Sequence, residues 1–126
     1  MPTPDDRRYT ESHEWHKLDG DTLTIGLTRH AVDELTDITY VELRDTGTTL
    51  EPGDAVAEVE SVKTTSDVYS ALPGTIAETN TDLDDNPGLL NEDPYHKGWL
   101  VKVTVSDTAP FENLADAAKY DAEYAQ

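Results

Sequence analysis

Short apolar runs, each closed by turn residues, constrain this chain more than any other feature. Asp19-Gly20-Asp21, Gly47, Pro52-Gly53 and Pro73-Gly74 supply these stops. Glycine supplies the left-handed backbone a tight reversal needs, and proline presets the first corner of a turn. Between these stops apolar residues fall on alternate positions, the period of a strand with one buried face. Leu23 and Ile25 alternate with Thr22 and Thr24, while Ala55, Ala57 and Val59 oppose Glu58 and Glu60. The pattern predicts strands at Tyr9–Leu18, Thr22–Gly26, Ile38–Leu43, Asp54–Ser61, Ser66–Leu72, Thr75–Glu78 and Trp99–Val105. Strands this short predict a mainly β fold, a compact sandwich or flattened barrel with small helices added.

Three helical pieces are expected. Thr28 can cap a helix near 28–35, on which Ala31, Val32 and Leu35 share one face. The polar stretch from Thr79 to Lys97 predicts one helical turn near 87–90, begun by Asn86-Pro87. Pro110 opens a C-terminal helix near 110–122, with Phe111, Leu114, Ala115 and Ala118 along one side. Pro2 and Pro4 make residues 1–8 a flexible lead-in, leaving 9–126 as a single domain.

Charge narrows the partners. Twenty-seven acidic residues against nine basic ones give a formal charge of -18, which argues against nucleic acid and anionic membrane surfaces. Such acidity reads as a solvated surface suited to high salt, where the Debye length falls to about 3 Å at 1 M. The absence of cysteine excludes disulfides, thiolate metal sites and thiol nucleophiles. No secretory leader opens the chain, and no run nears the roughly 20 apolar residues of a membrane span. A cytoplasmic protein is expected, or a mitochondrial-matrix one if a transit peptide has been removed.

The turn after Asp54–Ser61 carries the residue that most invites chemistry. Lys63 sits at its tip, within Glu60-Ser61-Val62-Lys63-Thr64-Thr65-Ser66-Asp67. Hairpin tips often carry a lysine, so position alone describes an ordinary surface residue. The surroundings are less ordinary: the chain has only five lysines, and this one is set among Glu58, Glu60 and Asp67 with short neighbours. An amine presented rigidly between short side chains suits a modifying enzyme that must enclose it. Such an amine can anchor a swinging prosthetic group, but it does not make a catalyst.

Other chemistry finds little support. His13 and His16 flank Glu14-Trp15, but residues three apart on a strand face opposite ways, so no metal site is expected. Trp15 and Trp99 read as core or seam residues. The chain has no Gly-rich phosphate loop and no Gly-x-Ser-x-Gly elbow. No carboxylate pair stands out from the acidic background as a hydrolase pair would, so no catalytic residue is expected.

Glu60-Ser61-Val62-Lys63, followed by Ser66-Asp67-Val68-Tyr69-Ser70, resembles the lipoyl-attachment segment of the glycine cleavage system H protein family. Other stretches match in the same order. They are Tyr9-Thr10-Glu11-Ser12-His13-Glu14-Trp15, Asp37-Ile38, Val41-Glu42-Leu43, Asn86-Pro87, Leu89-Leu90-Asn91-Glu92-Asp93-Pro94-Tyr95 and Gly98-Trp99-Leu100. The resemblance runs from Tyr9 to about Tyr120, and several separated motifs make it specific where Val-Lys alone would not be. It departs at Thr64, where the family usually has a small residue, often alanine. That bears on ligase recognition rather than on fold.

The resemblance implies a lipoyl/biotinyl-type flattened β-barrel and a non-catalytic, monomeric carrier. Lys63 would hold lipoic acid in amide linkage, with Glu60, Ser61, Val62 and Thr64 read by a lipoate ligase or lipoyl transferase. The arm would visit a pyridoxal-phosphate glycine decarboxylase, an aminomethyltransferase using tetrahydrofolate, and an FAD-dependent dihydrolipoyl dehydrogenase. The hard chemistry would belong to the cofactor and those partners. A cleft beside the hairpin would shelter the cationic aminomethyl group, at the positions matching Ser12, Glu14 and Asp67. A carboxylate near an amine favours its charged form. The alternatives are a lipoyl or biotin carrier domain of another multienzyme complex, or an unmodified scaffold with the same fold. Biotinyl lysines normally lie between methionines, unlike Val62 and Thr64, and lipoyl domains of 2-oxo-acid dehydrogenases are shorter and usually tethered.

Overall fold

The computed structural model describes residues 4–124. In chain order the strands are β1 (Arg8–Tyr9), β2 (Glu14–Asp19), β3 (Thr22–Leu27), β4 (Ile38–Leu43), β5 (Thr49–Leu50), β6 (Ala55–Ser61), β7 (Thr65–Tyr69), β8 (Gly74–Thr79) and β9 (Val101–Val105). The helices are α1 (Arg29–Leu35), α2 (Asp82–Asp85), α3 (Leu89–Glu92) and α4 (Ala117–Tyr124), with a 3-10 turn at Ala109–Asn113. One sheet has the order β1-β2-β3-β9-β8-β5 and the other β4-β6-β7. Every pairing is antiparallel. The mainly β expectation holds.

Alternation builds the core. Leu23, Ile25 and Leu27 of β3 join Val101, Val103 and Val105 of β9 and Val41, Val59 and Val68 of the smaller sheet in one buried cluster. A register shift between Ala55 and Ala57 puts a bulge in β6, so Val56 is buried beside Ala57 instead of facing out. Tyr9, Trp15, Tyr95, Ala117 and Tyr120 form a second cluster. Trp15 is fixed there by its Nε1, which donates to the Pro94 carbonyl at 2.9 Å, and by the Arg7 guanidinium 4.6 Å from its ring. A methyl group on Gly26, the cross-strand partner of Trp15, would lie 2.5 Å from that ring. Gly26→Ala is therefore expected to cost about 2 kcal/mol of stability through overpacking, read as a lower urea midpoint. An unchanged midpoint would mean that the ring yields.

Helix α1 is capped as expected, with Thr28 Oγ1 accepting from the Ala31 amide at 3.2 Å. The turn near 87–90 is present as α3 and has a companion in α2.

Three expectations are corrected. The strand drawn over Tyr9–Leu18 is two strands, because the chain reverses at Thr10–His13, where the Thr10 amide donates to the Glu14 carbonyl at 3.0 Å. The flexible lead-in does not extend to Arg8. Arg7 is 5% exposed and donates to the Tyr95 carbonyl at 2.8 Å, while Arg8 already pairs with His16; residues 1–3 lie outside the described residues. The C-terminal helix begins at Ala117, not at Pro110. Ala115 exchanges two backbone hydrogen bonds with Tyr9, at 2.8 and 3.0 Å, and Ala118 is exposed, so the stripe of Phe111, Leu114, Ala115 and Ala118 does not form. Completing the edge of β1 outweighs one more helical turn.

Candidate functional site

Lys63 stands exposed at the tip between β6 and β7. The tip is braced from within and from outside. Ser61 Oγ accepts from the amides of Lys63 and Thr64, both at 3.1 Å, and the Ser61 amide donates to the Thr64 carbonyl at 2.8 Å. From outside, the Asp37 carbonyl accepts from the Val62 amide at 3.0 Å. Asn91 holds that anchor in place, donating to the Thr36 carbonyl at 2.8 Å and accepting from the Ile38 amide at 2.9 Å. The Lys63 ammonium leans over the end of α1, where Nζ donates to the Glu34 carbonyl at 3.4 Å. A bond this long is weak. Val62 and Thr64 are exposed on either side, whereas Glu60 and Ser61 are half-buried.

A carboxylate lies beneath the far end of the same hairpin. Glu14 begins β2 and is 1% exposed. Its Oε1 accepts from the hydroxyls of Thr10 and Ser12, the latter at 2.6 Å, and its Oε2 accepts from the Tyr69 amide at 3.3 Å. Burial pushes the carboxyl above its ordinary range, against the downward pull of these hydrogen bonds. The group lines a cleft of about 420 Å³ with Thr10, Ser12, Gly53, Tyr69, Ser70 and Ala71. Strand β7 connects the two features, running from Thr65 beside the tip to Tyr69 on the cleft, about 13 Å at the usual strand rise.

The reversal that places Glu14 depends on His13, which sits at φ 70 in the left-handed region. A non-glycine residue stays there only when its surroundings hold it. Here the His13 carbonyl accepts from the Thr28 amide at 3.0 Å, and Nδ1 lies 2.8 Å from the Tyr120 hydroxyl. The His13 ring packs 4.4 Å from His30, and burial with that neighbour lowers its pKa. No group of acids and histidines suited to a metal ion occurs among the described residues.

Asp67 does not join Ser12 and Glu14. It pairs across the sheet with Glu58, which pairs with Glu42, so three exposed carboxylates form one row on the outer face. Asp67 lines a separate cavity with Arg44 and those acids. The reason is geometric: Glu14 approaches the edge of β7 to reach the backbone of Tyr69, while the Asp67 side chain stands on the sheet's exposed face.

The family model described as Glycine cleavage H-protein matches residues 7–126. The chain belongs to the glycine cleavage H-protein family. A glycine cleavage system H protein from Acinetobacter baumannii is 44% identical over 97% of this chain and 98% of its own length. The mitochondrial H protein 2 of Arabidopsis thaliana is 47% identical over 91% of this chain and 74% of its own. A crystal structure of the H protein from Mycobacterium marinum superposes with a TM-score of 0.87 at 36% identity, covering 96% of this chain and 98% of that one.

Within this H-protein frame, His16, which the sequence brought forward only as an unsuitable metal ligand, lies in the interior. It is 0% exposed, and its Nε2 accepts at 3.0 Å from the amide of Ala71, a residue lining the Glu14 cleft. A signal was available: alternation from Glu14 through His16 to Leu18 puts a polar ring at an inward position.

Proposed function

We propose that this chain is the lipoylated carrier of a glycine cleavage system, with lipoic acid joined to Lys63 by an amide. It is a non-catalytic component, as its family is. One observation carries the assignment to Lys63: an exposed amine on a tip braced by Ser61 and Asp37, held back only by a 3.4 Å contact. Amide formation needs a free amine lone pair, and the long contact to the Glu34 carbonyl is readily given up. Braced neighbours also present one fixed shape to a ligase, in which exposed Val62 and Thr64 are the readable side chains.

When bound, the lipoyl group supplies the dithiolane that carries a one-carbon unit and its reducing equivalents between enzymes. The protein's own task is to shelter a cationic aminomethyl cargo from water. Glu14 provides a carboxylate that is already desolvated and already oriented by Thr10, Ser12 and the Tyr69 amide. Little reorganisation is left for the moment a cation arrives. An approaching ammonium would also draw the carboxyl into its ionised form. The proposed partners are a pyridoxal-phosphate glycine decarboxylase, a tetrahydrofolate-dependent aminomethyltransferase and an FAD-dependent dihydrolipoyl dehydrogenase. A lipoate ligase or lipoyl transferase loads the arm.

The test is intact-mass and peptide-mapping mass spectrometry of protein loaded by a lipoate ligase, followed by glycine–CO2 exchange with the decarboxylase. A single lipoyl adduct on Lys63 and restored exchange are expected. An adduct on another lysine, or a biotin adduct from the native host, would overturn the reading. Loaded Glu14→Gln is expected to lose its aminomethyl cargo to water at least about tenfold faster. That is the effect of roughly 1.5 kcal/mol from a hydrogen bond to a charged group. Equal lifetimes would remove Glu14 from the shelter.

A further inference from the structure

Strand β7 is a free edge of the smaller sheet, and the chain continues past it through Ser70 and Ala71. Ser70 keeps its bonds on the sheet side: its amide donates to the Asp54 carbonyl at 2.9 Å, and its carbonyl accepts from the Gly53 amide at 2.7 Å. Backbone direction alternates along an extended chain, so the amides of Tyr69 and Ala71 point away from that side. A buried amide without an acceptor costs about 1–3 kcal/mol. Among the described residues no strand lies there to accept.

Two side chains of β2 take the place of that missing strand. Glu14 Oε2 accepts from the Tyr69 amide at 3.3 Å and His16 Nε2 accepts from the Ala71 amide at 3.0 Å. Glu14 and His16 are two residues apart and so project from the same face of β2. Tyr69 and Ala71 are also two apart, with both amides on one edge. The two periods match, so a carboxylate and an imidazole together stitch one sheet to the other.

With Nε2 accepting, the ring proton sits on Nδ1. That atom is buried and has no well-directed hydrogen-bond partner, although the Trp15 carbonyl is close enough to favour the charged ring slightly. A valine would fill this inward position without that burden. What the histidine adds lies entirely on its other nitrogen.

Ala71 is also a shared wall. With Thr10 and Ser12 it lines both the Glu14 cleft and a neighbouring trough of about 560 Å³ beside α4. Release of Ala71 would let the two spaces merge and admit water to the carboxylate. It would also free the adjoining Tyr69 amide from Glu14.

We propose that His16 is a positioning residue of the carrier cleft. Its Nε2 holds the Tyr69–Ala71 edge in place, which keeps Glu14 oriented and the shelter closed. This inference rests on the reading of the cleft as the shelter for the aminomethyl cargo.

The experiment compares the lipoylated parent with His16→Val, His16→Gln and Glu14→Gln. Nitrogen-15 NMR of the parent is expected to show a coupling across the hydrogen bond between the Ala71 amide nitrogen and His16 Nε2. Valine removes the acceptor, so the Ala71 amide should exchange with solvent faster, while that of Ile76 in β8 should not. Cargo should escape from His16→Val about fivefold faster, the effect of about 1 kcal/mol from one hydrogen bond. Glutamine, whose side-chain carbonyl extends about as far as Nε2, should restore most of the lifetime. Acylation of Lys63 should proceed at the parental rate in all three variants.

The outcomes separate the two ideas. If Glu14→Gln loses cargo but His16→Val does not, the role of His16 falls and the cleft reading stands. If both variants keep cargo as the parent does, the cleft reading falls and takes the role of His16 with it. A defect in His16→Val that glutamine fails to relieve marks a packing fault and also overturns the proposal. Should the valine variant not fold, a parent spectrum without the coupling decides against His16 on its own.

Discussion

Lys63→Arg is expected to fold as the parent does and to carry nothing. The side chain is exposed, and the tip around it is formed by Ser61 Oγ and by the Val62 amide on Asp37. None of these contacts involves the Lys63 side chain, so stability should stay within about 0.5 kcal/mol of the parent. Arginine keeps the positive charge, but its guanidinium remains protonated at any working pH and offers no amine lone pair for acylation. A lipoate ligase should therefore add no mass to the variant. Glycine–CO2 exchange with the decarboxylase should fall to the level seen without a carrier. The loss is complete rather than graded, because the attachment bond either exists or does not. Exchange surviving at the parental rate, or an adduct on another lysine, would refute the assignment.

The second large effect is on stability and depends on pH. Burial holds the His16 pKa at about 4, below its ordinary value of 6.5. Between these values the unfolded chain binds a proton at this position and the folded one does not. Stability is therefore fully present above pH 6.5 and is lost as the pH falls toward 4. The loss amounts to about 3 kcal/mol. Other groups titrate over the same range. The pKa of His13 is also lowered, by burial and by His30, and acts in the same direction. That of Glu14 is raised by burial and acts in the opposite direction. The clean measurement is thus a difference. The difference in unfolding free energy between the parent and His16→Val, taken from urea curves between pH 7.5 and pH 4, should shift by about 3 kcal/mol in favour of the variant. Parallel curves would show that the ring is already charged in the folded protein, or that it is wet.

Most strands were legible because their cause is local. Turn residues at Asp19-Gly20-Asp21, Gly47 and Pro73-Gly74 stop the chain where it does turn, and Gly20 and Gly47 adopt the positive φ expected of them. The break at Thr10–His13 has no such marker. It is held by Thr28 and Tyr120, which are distant in the chain, and it puts a histidine in a glycine-like conformation. The burial of Glu14 was equally hidden. In so acidic a chain a glutamate reads as solvated, and one of its three partners, the amide of Tyr69, arrives from the other sheet. Asp67 was grouped with Glu14 by the same resemblance, yet neighbouring strands place it in a row with Glu58 and Glu42. Motif order pointed to the Lys63 hairpin as the proposed attachment site but could not show which acid would be sealed. Arg7 was lost to the prolines before it, since nothing local announces that its guanidinium will stack on Trp15.

The bond from Val62 to Asp37 has a dynamic consequence. In the proposed carrier it makes the base of an arm attached to Lys63 a fixed pivot. All the sweep of a tethered group must then come from torsions beyond the lysine Cα, and none from the loop. The loop's ordering entropy is already lost on folding, so a visiting enzyme need not freeze it again. Each of the proposed partners would meet the same origin at the same height, which makes turnover among them a matter of docking geometry rather than loop search.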